Sequence, residues 1–454
     1  MKPDLAFEKW IPAPISPQGE YKSIANYNKE CYLFEGDYKR FLFDWWDEEL
    51  LPGLGSGAFQ RLDSLEEAES RIPSDSRKAS PGLLGTLAGI RTKTDALEDP
   101  TYRPYLKRVF DEPMPVYVYN ICLKNELRPE AKALEHKIRT FCIANLEHMI
   151  VSLKFFANFS DALVRLCGKR FACIGFTQYH GEWHRHINLY TRHHCWAKDA
   201  SKFDYKQFSQ FMLWFFEWFG RHAGCLDDYQ YKLFVHMTVN KVIVSMQGFA
   251  FVAVGSNPSG HYLTAIMNTF FNNALNVYAF WKHCGSGKTM KESEIRAFYR
   301  RIIVERDLGD DSLEGVLYEY KHFYNEKHQL AVLTRIMDYT MSSVPGPVLD
   351  QDFLSLKTTV DPKYARYVPY PFSTRWWSSL DYTFKTLSPA DKLAKLCSMR
   401  LHAYYNRTAF TTITAVTKLF MEKYRERIGD PEWDAATRQF LSERQIEDIY
   451  MSYE

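Results

Sequence analysis

Three stretches of the chain place apolar residues at three- and four-residue steps, the period of a helix with one packed face. Over 144–167 these are Leu146, Met149, Ile150, Leu153, Phe156 and Leu163. Over 205–220 an apolar stripe runs to Gly220, where glycine is expected to stop the helix. A third helix is expected over 261–283, directly after the loop Gly255-Ser256-Asn257-Pro258-Ser259-Gly260. Shorter β-prone runs at 242–245 and 249–254, joined by Met246-Gln247-Gly248, predict a hairpin. Strands are also expected at 116–123, at 302–304 and at 353–359. Residues 50–110 are rich in Gly, Pro, Ser and charge and read as loops around short elements. The tail from 388 is mostly helical, with Ser388-Pro389-Ala390-Asp391 as a helix start. No repeat of fixed period is present.

The chain has 454 residues, of which 46% are apolar, 25% charged and 16% aromatic, a composition that excludes disorder, collagen-like repeats and small disulfide scaffolds. Length alone suggests two to four structural units. Lys and Arg number 57 against 55 Asp and Glu, so a polyanion site has to come from local clustering and not from net charge. The nine cysteines lack paired spacing, which favours a reducing compartment. The first 21 residues carry charges and four prolines and do not read as a signal peptide, and no apolar run is long enough to span a bilayer.

Two acidic groups stand out: Asp199 and Asp204 in an Asp-x4-Asp pattern, and Asp310-Asp311 after Gly309. A glycine before paired aspartates permits a tight turn that presents carboxylates at its tip, and hard divalent ions take such oxygen ligands. Alone, a Gly-Asp-Asp triplet is usually a surface turn, and an isolated aspartate usually a cap or a solvated charge. Between the two groups, Gly260, Thr264 and Asn268 follow at four-residue steps and are expected to share one polar helix face suited to a sugar or base. The bland reading of this stripe is an N-cap at Ser259 followed by polar residues facing other helices.

Taken in order, these segments resemble motifs A, B and C of viral RNA-dependent RNA polymerases of the picornavirus-like and calicivirus-like group: Asp199-x4-Asp204, Pro258-Ser259-Gly260-x3-Thr264-x3-Asn268-Thr269, and Gly309-Asp310-Asp311. Upstream, Lys124-Asn125-Glu126-Leu127-Arg128-Pro129 with Lys137-Ile138-Arg139-Thr140 is similar to the basic F motif, and Ser80-Pro81-Gly82 to the template-contacting G motif. Downstream, Phe353-Leu354-Ser355-Leu356-Lys357 is similar to the primer-grip E motif. The likeness covers about 80–360.

The resemblance implies an α+β right-hand polymerase fold with an antiparallel palm sheet flanked by helices. Residues 1–190 would be mainly fingers, 191–360 palm with a fingers insertion around 220–250, and 361–454 a mostly helical thumb. It implies RNA-templated addition of ribonucleotides to a 3′-hydroxyl with two magnesium ions, for which manganese can substitute, held by Asp199, Asp310 and Asp311. Asp204, Ser259 and Asn268 would sense the ribose 2′-hydroxyl, where a reverse transcriptase would be expected to carry a bulky aromatic at 204. Ser259, Gly260 and Thr264 would belong to the nucleotide site. Lys124, Arg128, Lys137 and above all Arg139 would contact the triphosphate. The implied partners are RNA template and primer, ribonucleoside triphosphates, a protein primer and other replication or capsid proteins; the implied location is the host cytoplasm, in a replication complex or virion.

Two departures from the family pattern are visible. Leu308 stands where many relatives have tyrosine, which removes a hydroxyl and no ligand. The loop 342–347 lacks the usual motif D lysine, leaving Lys327, His328 and Lys357 as open choices for the general acid. These departures motivate a second reading, a catalytically silent relative that serves as an RNA-binding scaffold. Gly285-Ser286-Gly287-Lys288-Thr289 is no P-loop, because position 282 is lysine and the preceding element reads as a helix. His180, His184, His186, His193, His194 and Cys195 are dense but lack zinc-site spacing.

Overall fold

The computed structural model describes residues 9–27, 32–113, 118–372, 374–382 and 387–452. Its main core is built by four long helices, Tyr38–Leu54, Leu146–Arg165, Ser209–Ala223 and Thr264–His283, whose aromatic faces meet at Trp46, Phe156, Phe215, Trp218 and Phe270. Burying such large side chains is the dominant stabilising contribution. The helix at 38–54 is an element that the sequence pattern did not announce.

A four-stranded antiparallel sheet lies against this core in the order Tyr339–Met341, His193–Ala200, Asp311–Leu317, Ile303–Leu308. A second sheet has the order Thr140–Ala144, Val118–Leu123, Asn240–Val244, Ala250–Val254. The hairpin expected at 242–254 forms as its last two strands. Positions 116 and 117 of the strand expected at 116–123 lie outside the described residues.

Several element ends differ from expectation, each for a local reason. The helix expected over 205–220 is Ser209–Ala223, because the backbone of Gln207 is drawn into the neighbouring loop, where its carbonyl accepts the Ser256 N–H at 2.5 Å. Its stop is Gly224 in the left-handed conformation, whereas Gly220 is a packing glycine whose Cβ would lie 2.7 Å from Leu226. The strand expected at 353–359 is split into Asp352–Phe353 and Leu356–Asp361 by a tight turn with positive φ at Leu354 and Ser355. These two strands and Arg366–Pro371 form a three-stranded sheet. Ser388 caps the helix Pro389–His402, as its pattern predicts.

The carboxy-terminal helices close onto the body: the His180 N–H donates to Ile449 O at 2.9 Å, and the Gly181 N–H to Tyr450 O at 3.0 Å. The helix Thr374–Asp381 lies against both strands of a small amino-terminal pair, Trp10–Pro12 and Leu127–Pro129, so the chain forms a closed ring.

In a strand, neighbouring side chains point to opposite faces. Asp199 is exposed while Lys198, next to it, is turned into the interface with the helices and has a side chain only 1% exposed. Lys198 pairs with Glu314 of the adjacent strand and donates to Asn276 Oδ1 at 2.5 Å. Gln329 Nε2 donates to the other oxygen of Glu314 at 2.6 Å, and Asn276 Nδ2 donates to Glu305 at 2.8 Å. This buried network ties the sheet to Thr264–His283 and to the helix Glu326–Leu333. Removing one member of a buried pair leaves the other charge uncompensated. Lys198→Met should therefore lower unfolding free energy in urea by about 3–5 kcal/mol, and Lys198→Met with Glu314→Gln should lose less than the sum of the two single changes.

Candidate active site

The hairpin Ile303–Leu308 to Asp311–Leu317 turns through Gly309 and Asp310, with Leu308 paired opposite Asp311. Gly309 adopts φ +67°, a conformation open to glycine at little cost. The turn puts Asp310 at the tip, while Asp311 is the first residue of the returning strand; only one of the two expected carboxylates is at the tip. Because Lys198 is paired with Ser312, the register sets Asp199 opposite Asp311. Two distant acidic segments are thus brought together by strand pairing.

The turn is held from behind by Thr264–His283. Thr269 Oγ1 accepts the Gly309 N–H at 2.9 Å, and Asn272 Nδ2 donates to the Asp310 carbonyl at 3.2 Å. The polar stripe therefore extends beyond Asn268 to Asn272 and Asn276, two further four-residue steps. It was visible in the sequence as asparagines in an otherwise apolar helix.

Asp199, Asp204 and Asp310 open onto a cavity of about 1260 Å³. Its walls carry Lys22, Lys124, Arg128, Lys132, Lys137, Arg139 and Lys202, seven cations against three carboxylates. The four basic residues assigned to the triphosphate are there, with Lys132 of the same basic run; Lys22 and Lys202 are additions, and Lys22 could not have been found from local motif spacing. Ser259 also lines the cavity.

The aspartates are poorly compensated. Among the described residues the carboxylates of Asp199, Asp310 and Asp311 form no ion pair within 4 Å and accept no side-chain hydrogen bond; the side-chain donors Thr340 and Asn272 reach the backbone carbonyls of Asp199 and Asp310 instead. Although Asp199 is exposed, desolvation by the surrounding protein, then the charge of Asp310, raises its carboxyl above the ordinary range. The protein around Asp311, then Asp310 and Asp199, pushes it up to about 7, although the residue keeps an exposed edge. Burial raises Asp204 to about 6 against the opposing hydrogen bond from Asn268.

Glu126 is buried at 3% exposure and grips Arg139, which donates from Nε to Oε1 at 2.7 Å and from Nη2 to Oε2. Although burial opposes it, Arg139, then Arg128 and Lys124, hold the Glu126 carboxyl below its usual value. Arg139 is thereby fixed in orientation at the cavity wall.

Other expected site residues have structural surroundings. A Cβ on Gly260 would lie 2.2 Å from Cys142 O, and Gly260 O accepts the Ala144 N–H, so this glycine serves close backbone approach to the second sheet. The helix begins at Thr264, not 261, so Gly260 is off the helical face assigned to it. Thr264 Oγ1 closes the preceding loop by donating to Pro258 O at 3.0 Å. Asn268 is buried and donates to Asp204 Oδ1 at 2.8 Å. Pro81 and Gly82 are buried against the start of Leu146–Arg165, where Pro81 O accepts the Leu146 N–H; only Ser80 of the three is exposed.

Lys327, His328 and Lys357 do not line the cavity. His328 meets His283 edge to face, with ring centroids 4.8 Å apart, and Lys357 lies over Phe372. The imidazole-rich segment disperses: His186 is buried and lowered to about 3 by burial, His194 meets Glu326 at 3.0 Å, and His184 accepts the Tyr367 N–H. Residues 285–289 form an exposed turn region after Thr264–His283.

The family described as viral RNA-dependent RNA polymerase matches residues 62–409. The genome polyproteins of two encephalomyocarditis virus strains, emc-b nondiabetogenic and emc-d diabetogenic, are each 26% identical to this chain over 236 residues. That region is 50% of this chain and 10% of each polyprotein, so the chain spans a small part of those relatives. The solved structure of a sicinivirus 3Dpol RNA-dependent RNA polymerase superposes with a TM-score of 0.68 at 17% identity, covering 91% of this chain and 88% of that one. The fold is therefore the α+β polymerase fold. A polymerase of this kind implies RNA and nucleotide partners and divalent metal ions in general, and no helix among the described residues is long and apolar enough to cross a membrane. By the extent of the family match, this chain belongs to the viral RNA-dependent RNA polymerases.

Proposed function

We propose that this chain is the catalytic subunit of a viral replicase, adding ribonucleotides to an RNA 3′-hydroxyl by phosphoryl transfer in the host cytoplasm. The observation that carries this reading is the shared cavity in which Asp199 and Asp310 face seven basic side chains. In this reading 1–190 are mainly fingers, 191–360 palm with an insertion around 220–250, and 361–454 thumb.

The residues suit hard divalent ions. Among the described residues no group of three His, Cys, Asp or Glu side chains closes on a metal by itself. Magnesium is commonly held by one or two carboxylates completed by water and substrate phosphates. Asp199 and Asp310, with Asp311 beside them, offer oxygen donors whose mutual repulsion is relieved by a cation. Bound there, magnesium or manganese would activate the 3′-hydroxyl and neutralise the leaving pyrophosphate.

The chain's own groups supply the positioning. Arg139, oriented by Glu126, presents its remaining N–H groups to the triphosphate, with Lys124, Arg128 and Lys137 neutralising its charge. Asp204, with Asn268 behind it and Ser259 at the wall, reads the ribose 2′-hydroxyl. Ser80 lies on the template side. The packed Leu308 removes a hydroxyl and leaves the carboxylates in place, which favours the active enzyme over the silent scaffold.

Labelled ribonucleotide incorporation on a primed homopolymer, with magnesium or manganese, tests the proposal. The wild-type protein should extend the primer, and Asp310→Ala should lose at least about a hundredfold in rate with its fold intact. Absence of extension with both metals would favour the scaffold.

The raised carboxyls also set a pH dependence. Protons compete with metal at Asp311, so the metal concentration for half-maximal rate should rise as pH falls from 8 to 6, approaching about tenfold per unit for one-proton competition. For metal-free stability, a carboxyl raised in the fold contributes stability below the unfolded value of 3.8, and that contribution is lost as pH rises through about 7. The melting-temperature advantage of Asp311→Asn over wild type should be largest above pH 7 and shrink toward pH 4.

A further inference from the structure

Asn268 sits behind Asp204 with a side-chain amide whose two ends have the same shape and opposite polarity. Its Nδ2 donates to Asp204 Oδ1 at 2.8 Å. Its Oδ1 accepts from two amides at once, Gln207 Nε2 at 2.5 Å and Asn257 Nδ2 at 2.6 Å. Reversing the amide would set its carbonyl against the carboxylate and its NH2 against two other NH2 groups, so three favourable contacts would become three repulsive ones.

Asn257 is oriented in turn. Its Oδ1 accepts from His261 Nε2 at 2.8 Å, and its Nδ2 also reaches Thr264 O at 3.1 Å. Burial, then His148 and Lys241, holds His261 far below its ordinary pKa, so this imidazole is neutral and its proton is on Nε2. The two loops are joined through the backbone as well: the Asn257 N–H donates to Asp204 O at 2.7 Å, and the Ser256 N–H to Gln207 O. Gln207 and Asn257 are 1% and 2% exposed and are not among the residues lining the cavity, whereas Asp204 is. Their influence on a nucleotide therefore passes through Asn268 and Asp204.

We infer that Gln207 and Asn257 are positioning residues for sugar selection: together they hold the Asn268 amide with its NH2 toward Asp204, which keeps the second carboxylate oxygen of Asp204 as an acceptor for the 2′-hydroxyl of the incoming ribonucleotide. This rests on the ribose reading of Asp204 and Asn268 proposed above. A reversed or released Asn268 would favour a protonated Asp204, which could then donate where it has to accept.

The test is the ratio of kcat/KM for CTP to that for 2′-deoxy-CTP on a primed template, measured for the full chain and its variants. Gln207→Met and Asn257→Leu remove one donor each and should lower the ratio about three- to tenfold. Asn257→Asp keeps the shape but places acceptor oxygens against Asn268 Oδ1, and should lower the ratio at least as much as Asn257→Leu. A role confined to packing would leave the Asp variant close to wild type. Incorporation of 2′-deoxy-CTP reports in each case that the variant is folded, and Asn257→Asp and Gln207→Met probe the two donors separately should Asn257→Leu fail to fold. If Asn268→Ala lowers the ratio while Gln207→Met and Asn257→Asp keep it within twofold of wild type, the inference is overturned and the ribose reading stands. If Asp204→Ala and Asn268→Ala also leave the ratio unchanged, the ribose reading itself falls.

Discussion

Like-charged carboxylates repel, and a site that needs several of them at the edge of an open cavity has to hold them there by other means. In this protein the means are strand pairing and a helix. Pairing of His193–Ala200 with Asp311–Leu317 sets Asp199 opposite Asp311, and Thr269 and Asn272 pin the backbone of the turn that carries Asp310. Backbone hydrogen bonds do not weaken when the side chains repel, so the electrostatic strain stays in the side chains, where it shows as raised proton affinity at Asp199 and Asp311.

Thr264–His283 organises the centre of the molecule. Its apolar faces are buried in the aromatic core, while Asn268, Asn272 and Asn276 lie on one side at successive four-residue steps and face Asp204, the Asp310 turn and the buried Lys198 network respectively. One helix thus sets the relative positions of Asp204, the Asp310 turn and the floor of the sheet. Asparagine suits each place because it carries both a donor and an acceptor and no charge.

The cavity wall works differently. Its cations come from the amino-terminal segment, the region around 124–139 and the loop after Asp199, and Arg139 is held by Glu126 through two hydrogen bonds. A rigid bidentate guanidinium among more adaptable lysines suits an anionic ligand that has to enter, be held in one geometry and leave in part as a product. The loop 342–347 carries no lysine, and Lys327, His328 and Lys357 are not among the residues that line the cavity.

The sequence by itself determined the chemistry. The acidic pairs, the Pro-Ser-Gly loop with Thr264 and Asn268, and the basic run from Lys124 to Arg139 are local patterns set by residue type and spacing; the fold brings Asp199, Asp204, Asp310, Ser259 and the basic residues to one cavity, with Asn268 behind Asp204 and Thr264 closing the loop before it. The long amphipathic helices and the hairpin at 240–254 were likewise legible, because periodicity is a local property. Tertiary structure decided what depends on neighbours distant in sequence. Gly260 is required by the approach of Cys142, and Gln207 and Asn257 gain a role only because two loops about fifty residues apart are joined back to back. Lys198, which reads as one more charge beside Asp199, becomes a buried partner of Glu314 because strand alternation turns it to the opposite face. A residue's identity states which bonds it can make; only the packed fold brings the partner to the distance at which one of them forms.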